Sequence, residues 1–546
     1  MQSNYDVVVL GSGAAGLTAA LSAAVEGATV GLFEKAELLG GTTALSGGTI
    51  WIPGNRRARE AGIVDSEQLG KEYLESLSLG MMLPTLLDAT ITGGPEYVDF
   101  VEEHTELRFQ LVVGYPDYHP ERPGGLPGGG RSIEVTLVSF VGLGPWANRI
   151  SGDVSRMMIK EMPLGGGTGV IDPDVVAQRE RDQLEGLGRG LVAGLLKACL
   201  ERGVEVAAST RAVRLQSTDG AVTGVELETP DGSSTVSAGA VILATGGFEY
   251  SSELVRDFLR GPLTRAIGAP TNTGDGLRMA MRVGAQLGNM REAWWAPVVS
   301  VPGVRRDGAP DGRLTSRERA LPGTIMVNGH GRRFANEAAN YNAFGGAYHQ
   351  LDASRFEYPN IPSFLIFGQS VVDRFGVFGS AAGGDVPDWV TRADTLAGLA
   401  GKLGIPADAL EATVERFAID AEAGIDPEFG RGDSAYDRFP GGRVLDPDSP
   451  FATLGPVEGP PFYGVEIEPS ALGTKGGPRT DIDGRVLDVD GDPIRGLYAA
   501  GNVMANPGAM VYGGAGSTLA VAGIWGMFSG RAAVRDRLLA GSSQVT

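Results

Sequence analysis

Asp6-Val7-Val8-Val9-Leu10-Gly11-Ser12-Gly13-Ala14-Ala15-Gly16 is the stretch on which the fold of this 546-residue chain turns. Val7 to Leu10 form an uninterrupted apolar run, the pattern of a strand covered on both faces. Gly11-x-Gly13-x-x-Gly16 follows without a gap, and Leu17 to Val25 is alanine-rich and reads as a helix. A second strand, Thr29 to Phe33, ends at Glu34. Strand, glycine turn, helix, strand and acid make the βαβ unit that binds a dinucleotide. The glycines let the backbone approach the pyrophosphate, the helix N-terminus offers unpaired N–H groups, and the acid takes ribose hydroxyls. Gly11, Gly13, Ala15 and Gly16 are therefore expected against the dinucleotide, with Glu34 and Lys35 near its ribose.

Three further segments extend this reading. Gly40-Gly41-Thr42-Thr43-x-x-Ser46-Gly47-Gly48 lies just beyond the acid, Ala240 to Leu243 leads into Ala244-Thr245-Gly246-Gly247, and Gly496-Leu497-Tyr498-Ala499-Ala500-Gly501-Asn502 comes late in the chain. Their order and spacing resemble the fumarate reductase/succinate dehydrogenase flavoprotein superfamily, whose members wrap the small-residue loop around FAD and bring the late glycine beside the flavin. The resemblance implies FAD as cofactor. It adds Gly41, Thr42, Thr43, Ser46, Gly47, Val213, Ala244, Thr245, Gly246, Asp275, Gly501, Asn502, Thr518 and Leu519 to the expected contacts. Where succinate dehydrogenases carry the histidine that bonds FAD covalently, this chain offers Gly41, so non-covalent FAD is expected. The implied fold is α/β: a discontinuous Rossmann-like FAD-binding domain of residues 1–287 and 473–546, with an inserted α+β substrate/catalytic domain at 288–472. Pro/Gly-rich edges are read at 296–312 and 455–464.

Composition sets the outer limits. A hydrophobic content of 42% with 21% charged residues is ordinary for a soluble globular protein, and a net charge of −20 argues against nucleic acid or an anionic membrane as partner. The fingerprint begins within ten residues of Met1, which leaves no room for a signal peptide and predicts a cytoplasmic protein. Residues 513–530 are nearly uncharged and of spanning length, yet their glycines and serines, and their place after the late flavin strand, favour a buried helix facing the flavin. Arg531 and Arg535 would close its C-terminus. No transmembrane segment is expected. The single cysteine, Cys199, falls in an apparent helix from Leu191 to Glu201 and reads as a core residue. There is no C-x-x-C and no metal-ligand cluster, so no metal is expected. His104, His119, His330 and His349 are scattered, with His119 and His330 nearest the expected site.

Gly331-Arg332-Arg333-Phe334-x-Asn336-Glu337 resembles the active-site segment of the same superfamily, where an arginine a few residues on protonates a dicarboxylate. Here that position is Tyr341. A phenol cannot form arginine's bidentate fork, but as a phenolate it can take a proton from carbon. Residues 40–51 with Ile52-Pro53-Gly54-Asn55, then Tyr115-Pro116-Asp117-Tyr118, Asn336 to Tyr341, Leu472-Gly473-Thr474-Lys475-Gly476-Gly477 and Tyr512-Gly513-Gly514-Ala515-Gly516 together resemble the 3-ketosteroid Δ1-dehydrogenase family. The resemblance implies that Tyr341 removes the proton from C2, that Tyr118 supports it, and that Tyr512 with the Gly516 N–H polarises the C3 carbonyl while a β-hydride passes to flavin N5. Tyr115 is close enough to be the partner in place of Tyr118.

Two departures from the family pattern stand out. The family commonly has Tyr-Pro-Gly where this chain has Tyr512-Gly513-Gly514, which predicts a more flexible turn able to move the phenol. The segment 135–163 carries Phe140, Trp146, Met157, Met158 and Met162, to be read either as a substrate-facing apolar lid or as ordinary core. The expected reaction is α,β-desaturation of a cyclic ketone, a 3-ketosteroid first and a smaller cyclohexanone-type ring as the alternative. A fumarate-reductase-like enoate reductase would need a cationic acid at position 341, for which Arg332 and Arg333 are the nearby substitutes. A pyridine-nucleotide enzyme would need a second strand-glycine-helix unit, and none appears. A flavin-binding redox sensor would not need the three tyrosines together. No motif names the electron acceptor.

Overall fold

The computed structural model describes residues 1–440 and 445–543. Its first sheet is centred on the strand Asn4–Leu10, which pairs in parallel with Val30–Phe33 on one side and Gly232–Leu243 on the other. Glu205–Ala207 extends the sheet beyond Val30–Phe33, and Pro493–Ala499 returns from far along the chain to lie parallel to Gly232–Leu243. An antiparallel hairpin, Arg211–Thr218 and Ala221–Thr229, stands on the first half of Gly232–Leu243. Val7, Val8 and Val9 are fully buried, as an apolar run that shows no alternation requires.

The helices against this sheet are Ala14–Val25, Leu187–Glu201 and Ser517–Ser543. Each starts or runs longer than the sequence suggested, because a helix continues wherever packing rewards it. Gly526 and Gly530 of the last helix sit where a Cβ would overlap the Ala15 and Ala19 carbonyls of the first, so the two helices meet backbone to backbone. Cys199 lies fully buried between Leu187–Glu201 and the first helix, its Sγ 3.4 Å from the Leu17 carbonyl. Arg531 and Arg535 do not close the last helix. It runs on to Ser543, and the two arginines pair sideways with Glu96 and Asp483. Among the described residues no helix is long and apolar enough to cross a membrane.

The second sheet is built around the long strand Phe462–Thr474. Its first half pairs antiparallel with Ser363–Gly368 and its second half with Ala293–Arg306, while Arg265–Ala266 joins it in parallel. Thr324–Asn328 and Ala309–Leu314 complete the two sides. The stretch 296–312, read as a Pro/Gly-rich edge, is thus mostly β-hairpin: Val298 and Val299 are fully buried, Pro297 pairs with Pro469 of the central strand, Gly308 sits at the turn, and Pro310 and Gly312 lie on the outer strand. From Thr474 the chain crosses directly back toward the first sheet through Lys475 to Gly477. The architecture is a mixed α/β fold with a cleft between the two sheets.

Candidate active site

A cavity of about 410 Å³ runs along the carboxyl ends of the parallel strands and on to the second sheet. Gly11, Gly13, Ala15, Glu34, Lys35, Gly41, Thr42, Thr43, Ser46 and Gly47 line its first stretch. Ala244, Thr245, Gly246, Asp275, Gly501, Asn502, Thr518 and Leu519 line the remainder. Glu34 is fixed: one oxygen accepts from the Ser12 amide and hydroxyl at 3.1 and 2.7 Å, the other from the Ala36 amide at 2.9 Å. Lys35 pairs with Asp275 at 3.1 Å.

Two expected contacts fall elsewhere. Gly16 faces inward, where a Cβ would overlap the Gly11 carbonyl, so this glycine serves close packing of helix on strand. Val213 is the extra residue at a β-bulge in the strand Arg211–Thr218, and it is the preceding Ala212 that lines the cavity. Ser12, Thr210 and Asn272 line the cleft without having been anticipated. Asn272 bonds the Thr42 hydroxyl at 3.0 Å and the Glu249 carboxyl at 2.7 Å, a partnership between segments that no local pattern encodes.

The donor set fits FAD. The Thr245 hydroxyl is buried on the cavity wall without a protein partner. At Gly41, with φ +47°, a Cβ would meet nothing within 4 Å, and at Gly13 it would meet Thr43 Oγ1 at 3.4 Å as its nearest neighbour. Both glycines leave the backbone open to the pyrophosphate of a bound dinucleotide.

Further along, the cavity reaches a cluster of buried phenols. Tyr118 donates to Tyr341 at 2.9 Å, and Tyr341 donates to Tyr512 at 2.9 Å. Their rings meet edge to face, with centroids 5.0 to 5.5 Å apart. Burial pushes the Tyr118 and Tyr341 phenols well above the usual tyrosine range and raises Tyr512. The Tyr118 bond pulls Tyr341 back down, and the Gly516 N–H pulls on the Tyr512 hydroxyl. Gly516 is held at φ +102° against the Thr49 carbonyl, where any side chain would collide. Tyr115 also lines the cavity but packs its ring on Phe439. Tyr118 is therefore the one in contact with Tyr341. Tyr436, not foreseen, backs Tyr118 at 5.1 Å.

The Tyr341 turn is anchored from below. Asn340 Oδ1 accepts from the Ala343 amide at 3.1 Å. Glu337 is fully buried and grips Arg333 at 2.7 Å and Arg431 at 3.2 Å. Arg333 also pairs with Asp426 at 2.8 Å, and Arg332 is exposed. Neither arginine lines the cavity, so neither of the two nearby substitutes stands where the acid of an enoate reductase would act. His119 and His330 do not line it either; His330 faces Glu357.

This geometry sets the terms for comparison with known proteins. The family model described as "FAD binding domain" matches residues 6–519. The chain is 44% identical to the 4-oxocyclohexanecarboxylate 2-dehydrogenase of Sinomonas cyclohexanicum, over 97% of this chain and 93% of that one. It is 39% identical to the 3-oxosteroid 1-dehydrogenase of Mycobacterium tuberculosis, over 96% and 97%. The crystal structure of 3-ketosteroid Δ1-dehydrogenase from Sterolibacterium denitrificans, in complex with 1,4-androstadiene-3,17-dione, superposes with a TM-score of 0.87 at 32% identity. It covers 98% of this chain and all of that one. The chain belongs to the FAD-dependent 3-ketosteroid Δ1-dehydrogenase family. It is an FAD-binding oxidoreductase.

Against that family the departure is Gly513, since Gly514 stands where the family also has glycine, and both positions are closely packed. At Gly514 a Cβ would overlap the Trp51 indole, and at Gly513 it would meet Leu74 and Trp51 at 3.0 to 3.1 Å. Trp51 in turn donates to Asp117 at 2.7 Å, and the Gly513 carbonyl accepts from the Tyr118 amide at 3.0 Å and the Tyr73 hydroxyl at 2.7 Å. A more flexible turn was expected here; in the structure the two glycines admit the Trp51 ring, which packs closely against the turn. The segment 135–163 is divided. Phe140 lies beneath Arg189 and Trp146 beside Arg149, whereas Ile159, and Leu164 just past the segment, reach the cavity. Ile267, Leu314 and Leu472 complete that apolar wall, with the ion pair Arg306–Asp311 at 2.7 Å on its margin.

Proposed function

We propose that this protein desaturates a cyclic ketone between its α and β carbons, with a 3-ketosteroid dehydrogenated at C1–C2 as the preferred substrate. The observation that carries the proposal is the chain of phenols Tyr118, Tyr341 and Tyr512, facing the same cavity as the dinucleotide fingerprint. In this reading residues 1–287 and 473–546 are a Rossmann-like FAD-binding domain, and 288–472 is the inserted substrate domain.

The roles follow from chemistry. Tyr512 and the Gly516 N–H hold the ketone oxygen and stabilise the charge that develops there as the α-proton leaves. Tyr341 takes that proton. Its phenolate is costly in a buried site, so Tyr118 supports it by donating a hydrogen bond and by giving the proton an onward path. Bound FAD supplies the acceptor for the β-hydride. Ile159, Leu164, Ile267 and Leu314 exclude water and seat an apolar ring system.

Anaerobic titration of the oxidised flavin with saturated ketones tests this. Saturated 3-ketosteroids should bleach the flavin, and the corresponding 1,4-dien-3-ones should not. Bleaching by a 4-oxocyclohexanecarboxylate-type ring but by no steroid would select the smaller-ring reading, which the 44% identity to such an enzyme supports. Bleaching by no ketone, with the reduced flavin reoxidised by enoates, would replace desaturation by enoate reduction.

A further inference from the structure

Lys475 lies just past the end of Phe462–Thr474 and is fully buried. A buried ammonium is expensive unless its protons are used. Here Nζ donates to the Met510 carbonyl at 2.9 Å and the Val511 carbonyl at 3.0 Å, and sits 4.0 Å from the centre of the Trp294 ring. Those two carbonyls immediately precede Tyr512. The Met510 carbonyl also accepts from Asn342 at 3.3 Å, the residue after Tyr341. Trp294 meets the Tyr512 ring at 4.7 Å and donates to Asn502 at 3.0 Å on the flavin side of the cavity. The Lys475 backbone is pinned at both ends: its amide to Glu292 and its carbonyl to Asn506, each at 2.9 Å. Its ammonium lies 6.0 Å from the centre of the Tyr512 ring.

We propose that Lys475 is a positioning residue of the desaturation: it fixes the Met510–Tyr512 turn and sets a positive charge behind the Tyr512 phenol, so that Tyr512 donates more strongly as the substrate oxygen becomes anionic. The inference rests on the ketone reading above. A unit charge at this range in a partly shielded site is worth roughly ten- to a hundredfold in anion stabilisation. Burial draws Lys475 down to about 7. Glu292 favours its charged form and Arg260 opposes it. The other titratable groups on this side are the phenols Tyr512, Tyr341 and Tyr118, each pushed up by burial.

The test uses holoenzyme and a simple halogenated phenol, whose anion mimics an enolate and gives a long-wavelength charge-transfer band over oxidised flavin. Lys475→Gln keeps an N–H donor for the two carbonyls but removes the charge. With full flavin content, it should bind the phenolate roughly ten- to a hundredfold more weakly. Its kcat should fall by a similar factor and its KM by far less. Wild-type phenolate affinity and wild-type kcat in a flavin-replete Lys475→Gln would overturn the proposal. If that variant fails to hold flavin, the wild type decides: its affinity for the phenolate, corrected for ionisation in solution, should weaken as pH rises through about 7. An affinity constant across that range overturns the proposal. A wild type that gives no phenolate band at all would overturn the ketone reading itself, whereas a band indifferent to Lys475→Gln sinks only the role of the lysine.

Discussion

A phenol works as a base toward carbon only if its anion is sheltered by a donor, and Tyr341 accepts from the Tyr118 hydroxyl at 2.9 Å. Tyr341→Phe should keep FAD and bind ketone almost normally while losing about 10²–10⁴ in kcat. Tyr512→Phe should lose about 10²–10³, with weaker ketone binding as well. Exchange of the ketone's α-hydrogens for deuterium separates them: Tyr512→Phe should still exchange, slowly, and Tyr341→Phe should not. Exchange at the wild-type rate in Tyr341→Phe would transfer the base role to Tyr118. Tyr341, Tyr118 and Tyr512 could be picked from sequence because each sits in a segment of recognisable spacing. Trp294, Tyr436 and Asn272 could not, since the site groups they touch, Asn502 and Tyr512, Tyr118, and Thr42, lie hundreds of residues away.

At the scale of elements, the tyrosine-bearing turns are rigid because other elements lean on them. Gly514→Ala would drive a methyl into Trp51. It should cost about 1–3 kcal/mol in stability and a larger share of activity, because Trp51 also holds the Tyr118 loop through Asp117. A Gly514→Ala enzyme of normal melting temperature and turnover would refute this close packing. Glu134 holds the cavity-lining segment by accepting from the Ile159 and Lys160 amides at 2.6 and 3.2 Å, and burial pushes its carboxyl up to about 7. The folded state therefore keeps a proton that the unfolded chain has already lost, so stability should fall as pH rises from about 4.5 to about 7. Glu134→Gln should flatten that fall, measured as melting temperature against pH. Helix ends were the least legible features, and the hairpin at 296–312 was hidden by its own glycines and prolines, which read locally as breaks although Pro297, Pro302 and Gly303 lie within one strand and Pro310 and Gly312 within the other.

For the molecule as a whole, the order strand, glycine turn, helix and late returning strand was legible because each piece has its own period and punctuation, whereas the partners of Phe462–Thr474 were not. Two glycines of one motif should behave oppositely. Gly13→Val, which meets little protein, should yield a colourless but folded chain. Gly16→Ala, which collides with the Gly11 carbonyl, should yield little soluble protein at all. Acid precipitation of the wild type should leave FAD in the supernatant, as Gly41 in place of a histidine implies.

The contact of Ser517–Ser543 with Ala14–Val25 also has a consequence for synthesis. The helix that opens the fingerprint emerges from the ribosome early, yet the helix it packs against backbone to backbone comes roughly 500 residues later, a delay of about 25–100 s at ordinary elongation rates. During that interval the Ala15 and Ala19 carbonyl face and the open edge of Gly232–Leu243 have nothing to cover them. The nascent chain thus carries an adhesive surface for most of its making, and chains released before residue 517 should be captured by chaperones or aggregate rather than accumulate as flavin-binding fragments.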